Sequence, residues 1–135
     1  MNKKLILEAW RKVEDQLSLA RRFLGEGRVD GALYFVWIAV ENLVNTLKVS
    51  INGRYVKDHR EESLILLEYY ALGILKRDYS KLMEKLAKYR IAAEFHPYTA
   101  IPRDYSEDDV IKYIEEVDEL KKEVEGILKS KGVLE

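Results

Sequence analysis

Ala32-Leu33-Tyr34-Phe35-Val36-Trp37-Ile38-Ala39-Val40 carries no charged or amide side chain over nine successive positions. At about 100° per residue such a run is apolar on every side of a helix, and a helix without a polar side must be surrounded. Asp30 supplies an N-cap ahead of it and Asn52-Gly53 a stop behind it, so the stretch predicts a helix from Asp30 to about Ile51. That helix belongs at the centre of a bundle or against a partner. Working outward, Leu5, Leu7, Trp10, Val13, Leu17, Ala20 and Leu24 recur at threes and fours, predicting a helix from Lys3 to Glu26 that Gly25-Glu26-Gly27 ends. Downstream, a third helix is expected over Glu61–Leu75, with Leu64, Leu67, Tyr70, Ala71 and Ile74 on one side. A fourth opens at Asp78 or Ser80, carries Leu82, Leu86, Tyr89 and Ala93 on one face, and stops before Pro97. Thr99–Asp104 is a loop, and Ser106-Glu107-Asp108-Asp109 caps a last helix that runs to about Lys129. No segment alternates like a strand. The expected architecture is all-α, one antiparallel bundle of about five helices in a single domain.

Composition narrows the function classes. The 135 residues are 47% hydrophobic and 35% charged, with two prolines and seven glycines, enough apolar material for one core and too ordered a mixture for a disordered or repetitive chain. The absence of cysteine excludes disulfide frameworks, thiolate metal sites and cysteine nucleophiles. Net charge is −1, so there is no bulk attraction to nucleic acid. Leu5-Ile6-Leu7 is followed by Glu8, too soon for a secretory leader, and no long uncharged apolar window suggests a membrane span; a cytoplasmic protein is expected. Scarce amides (Gln16, Asn2, Asn42, Asn45, Asn52) with abundant Lys and Glu resemble the composition of heat-adapted proteins. Neither Gly-x-Gly-x-x-Gly nor a Walker pattern is present, and neither histidine follows a Glu-x-x spacing, so no cofactor and no metal are expected.

Charge is segregated along the chain. Lys76, Arg77, Lys81, Lys85, Lys88 and Arg90 stand against only Asp78 and Glu84, whereas Asp104–Glu125 holds ten acids against three lysines. Arg77, Lys81, Lys85 and Lys88 fall within about a quarter of the fourth helix's circumference. One reading is a track for RNA phosphates; the other is a solvated face that pairs with the acidic fifth helix.

The histidines are His59 and His96. Arg90 precedes His96, and Arg54 precedes His59, at spacings that a chain of this composition produces about 0.4 times by chance, so spacing alone carries little weight. The residue types nevertheless suit phosphodiester chemistry. RNA cleavage without metal needs an acceptor for the 2′-hydroxyl proton, a donor for the leaving 5′-oxygen and positive charge on the phosphorane. Histidine titrates in the right range, and arginine presents a fixed fork of donors. Tyr98 would stack a base or hold the phosphate. On an unbroken helix Arg90 and His96 lie about 120° apart around the axis, so a helix break or a second subunit is needed to bring them together.

Each residue also has a structural reading. His96 before Pro97 would hydrogen-bond a carbonyl at a helix end; Arg90 would snorkel from the core or pair with Glu94. Glu41 interrupts an apolar helix and, if buried, needs a partner, for which Arg90 is the candidate. Arg54 and His59 fall in a loop after Gly53 and read as structural. Trp10, Phe35, Trp37, Tyr69 and Tyr70 read as core or interface.

With these residues in place the chain resembles the HEPN domains, small helical nucleases and nucleotide-binding modules. The resemblance covers nearly the whole chain: Ala20-Arg21-Arg22-Phe23-Leu24, a glycine-rich break, the apolar run into Glu41 and on to Leu47, His59 followed by Leu64 and Leu67, and Arg90, His96 and Tyr98 at the positions of the family's Arg-x(4–6)-His motif with its His-x-Tyr extension. The resemblance implies a metal-independent endoribonuclease acting as a homodimer, with Arg90, His96 and Tyr98 catalytic and Glu41 and Glu94 supporting. It also implies a toxin paired with a minimal nucleotidyltransferase antitoxin that would modify Tyr98. The family often places Asn, Asp or His directly after the arginine, and this chain has Ile91. That departure favours the alternative, a non-catalytic module that binds a nucleotide or docks on a nucleotidyltransferase.

Overall fold

A computed structural model describes residues 2–135. They form α1 (Lys3–Gly25), α2 (Val29–Asn52), α3 (His59–Ala71), α4 (Ser80–Phe95) and α5 (Glu107–Ser130), with no strand among the described residues. The all-α bundle is the expected one. α2 sits at its centre, touching each of the other four helices, and buries Ala32, Leu33, Val36, Trp37, Ala39, Val40, Leu43, Val44 and Leu47. By length and mean hydropathy α2 reaches the range of a membrane-spanning helix. Its neighbours account for that apolarity, since each covers part of its circumference.

Three local expectations are corrected. In α1 the inward line is Ile6, Trp10, Val13, Leu17 and Ala20, while Leu5 is exposed. Asp30 is not the N-cap of α2: Arg28 holds that position, and the Asp30 carboxylate in the first turn accepts from Arg103 Nε (2.8 Å) and from the Tyr105 hydroxyl, tying the α4–α5 loop to the start of α2.

The largest correction concerns α3. It ends at Ala71, not Leu75, because Gly73 takes φ +77° and the last carbonyls close on the loop. Gly73 N–H donates to Tyr70 O (3.0 Å) and Ile74 N–H to Tyr69 O (2.8 Å), the two bonds of a Schellman ending. The face of α3 that packs inward consists of Glu62, Ser63, Ile65, Leu66 and Tyr69. Leu64, Leu67 and Tyr70, the side that periodicity grouped together, are exposed.

α4 buries Leu82, Met83, Leu86 and Ala87, and its start is fixed by Asp78, whose carboxylate accepts Ser80 N–H at 2.8 Å. Ser106 and Asp109 form a reciprocal capping box at the start of α5. Tyr89, Tyr105 and Tyr113 cluster where α4, the connecting loop and α5 meet, with ring centroids 5.4 and 6.5 Å from Tyr89. Acids of α5 meet cations of other elements, Arg77 with Glu119 (2.6 Å) and Glu116 (3.7 Å) and Arg21 with Asp118, while Lys121 of α5 meets Glu14 of α1 (3.6 Å).

Candidate functional site

α3 and α4 lie side by side and leave a cleft of about 640 Å³ between them. Leu64, Leu67, Ala87 and Ile91 give it apolar walls; Arg60, Lys88 and Arg90 bring positive charge to it and Glu84 a negative charge, with His59 also in the lining. Local capping places His59 and Arg60 there. Asp58 accepts Arg60 N–H at 2.8 Å, which starts α3 at His59 and sets His59 and Arg60 in its first turn. The same hydrogen bond holds the Asp58 carboxyl below its ordinary value. His59 is therefore a helix residue rather than a loop residue.

Trp37 of α2 is the platform. The Arg90 guanidinium lies over its indole, 5.0 Å from the ring centroid, and His59 meets it edge-on at 6.2 Å. A cation on an indole face is favoured by the ring quadrupole, more so once partly desolvated. Arg90 also donates from Nη1 to the Ala87 carbonyl. These two contacts fix its side chain, and Glu94, exposed on α4, makes no ion pair with it among the described residues.

Behind Arg90 two carboxyls face each other. Glu41, one turn beyond Trp37 on α2, is half-buried; Glu62 of α3 is 0% exposed. No donor meets either Glu62 oxygen. Two carboxyls can hydrogen-bond to each other only through a proton. Burial and the facing Glu41 charge push the Glu62 carboxyl up to about 9. Glu41 is raised as well, by its own desolvation, with the Glu62 hydrogen bond and the Arg90 charge opposing the rise. The Arg90 charge acts on Glu41, with no hydrogen bond or ion pair between the two among the described residues. Ser63, 5% exposed, lines the cleft with an unpartnered hydroxyl.

The other predicted residues are dispersed. His96 is the C-cap of α4, donating its N–H to Ala92 O (2.9 Å) with its side chain exposed; it does not line the cleft that holds Arg90. Tyr98 is 92% exposed. Within one protomer, then, Arg90 and His96 are not gathered into one pocket. Lys88 lines the cleft; Lys81 and Lys85 are exposed along α4, with Lys85 Nζ 5.9 Å from the Tyr113 ring. Arg77 is engaged by Glu116 and Glu119 and lies over Tyr79, 5.3 Å from the ring centroid, which is the pairing with an acidic fifth helix.

Sequence reasoning did not single out Trp37 as a platform, Glu62, Ser63 or Arg60. For Glu62 the signal was there: positions 62, 65, 66 and 69 share one helical face, and a carboxylate among Ile65, Leu66 and Tyr69 is out of place.

The family model for the HEPN domain matches residues 6–127. The chain belongs to the HEPN family. No curated protein matches it significantly. Membership in this family makes the bundle a module of the nuclease and nucleotide-binding kind. Within this HEPN domain Arg90 is the residue set on Trp37, and His96 caps the same helix.

Proposed function

We propose that this HEPN domain is a metal-independent endoribonuclease that works as a homodimer and serves as the toxin of a pair with a nucleotidyltransferase antitoxin. The observation that supports it most is the presentation of Arg90. A guanidinium held by Trp37 and the Ala87 carbonyl, with carboxyls behind it and Lys88 and Arg60 beside it, opens onto a cleft able to take a phosphate. Arg90 and Lys88 bind the phosphate and stabilise its developing charge, and Glu41 orients Arg90. His96, turned about 120° from Arg90 around α4, meets the phosphate of a second protomer across the dimer. It moves a proton: the 2′-oxygen loses its hydrogen and attacks phosphorus, the bond to the 5′-oxygen breaks, and that oxygen takes a proton, leaving a cyclic phosphate and a free 5′-hydroxyl. Lys81 and Lys85 extend the contact along the backbone. Tyr98 assists at the phosphate or, fully exposed, accepts modification by the antitoxin. The protein acts in the cytoplasm, where its RNA is.

The test is cleavage of a mixed RNA pool in EDTA by wild type, His96→Ala and Arg90→Ala. Wild-type cleavage lost in both variants, by about 10²-fold or more, supports the assignment. A folded dimer that cleaves nothing sinks it.

A specific observation favours a second reading. A cleft of about 640 Å³ with apolar walls and Arg60, Lys88 and Arg90 against the single acid Glu84 suits a mononucleotide, and it excludes His96. With Ile91 in place of a polar neighbour, the domain would bind a nucleotide without cleaving RNA. Calorimetry then shows nucleotide binding that Arg90→Ala removes and His96→Ala leaves intact.

A further inference from the structure

Glu62 is an acidic residue buried completely, without a donor, in the inward face of a helix that exposes three large apolar residues on its other side. Nothing about packing asks for a carboxyl there; Leu or Gln would fill the space. Glu41 faces it from α2, Arg90 from α4 and Asp58 from the loop before α3. Lys12 of α1 and Lys57 line a hollow of about 460 Å³ beside both carboxyls, and His59 stands on the cleft side.

We propose that Glu62 is a positioning residue for Arg90: it carries a proton that it donates to Glu41, so that the buried pair sets one negative charge, not two, behind the guanidinium. One charge orients Arg90 and leaves its outward donors to a phosphate. Two charges would draw the guanidinium inward and compete with the incoming phosphate for the same donors. The pair is also a built-in alkaline limit on the site, since losing the shared proton adds the second charge. The desolvation and like-charge repulsion that hold the proton on Glu62 agree with this geometry. This rests on the reading of Arg90 as the phosphate-binding residue.

Two readouts separate this inference from that reading. The first needs no ligand: the Trp37 indole N–H resonance, followed in ¹⁵N-labelled protein from pH 6 to 10, reports Arg90 stacked on the ring. Wild type is expected to show an inflection above pH 7 that Glu62→Gln lacks, because the amide keeps a permanent donor towards Glu41. The second is binding of a fluorescent, uncleavable 2′-O-methyl RNA dodecamer. Wild-type affinity is expected to fall roughly tenfold across the same inflection, and Glu62→Gln affinity to stay at the neutral-pH value. Glu62→Leu, which folds but donates nothing, is expected to bind weakly at every pH; rescue by Gln and not by Leu marks positioning rather than packing. Identical Trp37 titrations in wild type and Glu62→Gln overturn the inference whatever the RNA does. RNA that fails to bind any form, with the Trp37 inflection present, overturns the RNA reading and leaves the proton-sharing pair standing.

Discussion

The pair Glu41 and Glu62 puts a titration into the stability of the fold. A carboxyl whose value rises on folding is more easily kept neutral in the native state, so its contribution is fully present below the unfolded value and is lost as pH rises through the folded one. For Glu62 that window runs from the ordinary 4.5 to about 9. Wild-type unfolding free energy is therefore expected to fall with rising pH across this window, by at most about 1.4 kcal/mol per pH unit for a single proton, and the slope to flatten in Glu62→Gln. Urea melts at pH 5, 7 and 9 check it; parallel curves for the two proteins would remove the buried proton from the account. At the same scale Trp37→Ala is expected to cost about 3–5 kcal/mol and to release Arg90 as well, because the ring is both core and platform. Arg90→Lys should not restore function, since an ammonium offers neither the fork nor the flat face that Trp37 receives.

Among the elements, α3 separates what a pattern can say from what packing decides. Its apolar residues lie on two faces: Ile65, Leu66 and Tyr69 look inward, Leu64, Leu67 and Tyr70 outward. A helix with apolar residues on both sides has no single stripe for periodicity to find. Truncation reads the difference directly. Leu66→Ala is expected to cost about 2–5 kcal/mol, whereas Leu64→Ala and Leu67→Ala stay within about 0.5 kcal/mol in chemical denaturation of the monomer. The helix ending is equally local. Gly73→Ala forces a Cβ into left-handed backbone and is expected to destabilise by about 1–2 kcal/mol. Arg77, in the connection between α3 and α4, pairs with α5, so Arg77→Ala is expected to change stability by under about 1 kcal/mol, the pair with Glu119 being half exposed. If Lys88 faces the ligand and Arg77 faces α5, then Lys88→Ala weakens RNA binding and Arg77→Ala does not; fluorescence anisotropy on both variants decides it.

For the molecule as a whole, the sequence determined the count, order and approximate limits of five helices, the central place of α2, and membership in a family that the model over residues 6–127 bears out. These follow from local rules: periodicity, caps, and the requirement that a helix apolar all round be covered. It also raised Arg90 as the candidate partner of Glu41, because a charge in an apolar helix needs an answer. Which groups surround them was decided only by tertiary structure. Trp37, His59, Glu62 and Arg90 come from three helices, and no spacing along the chain states that α3 turns Glu62 inward or that α4 lays Arg90 on an indole. Sequence periodicity assigns a residue to a face of its own helix; what that face meets depends on how helices are placed against one another. That placement is a collective result of packing the whole core, and it is where the shared proton behind Arg90 originates.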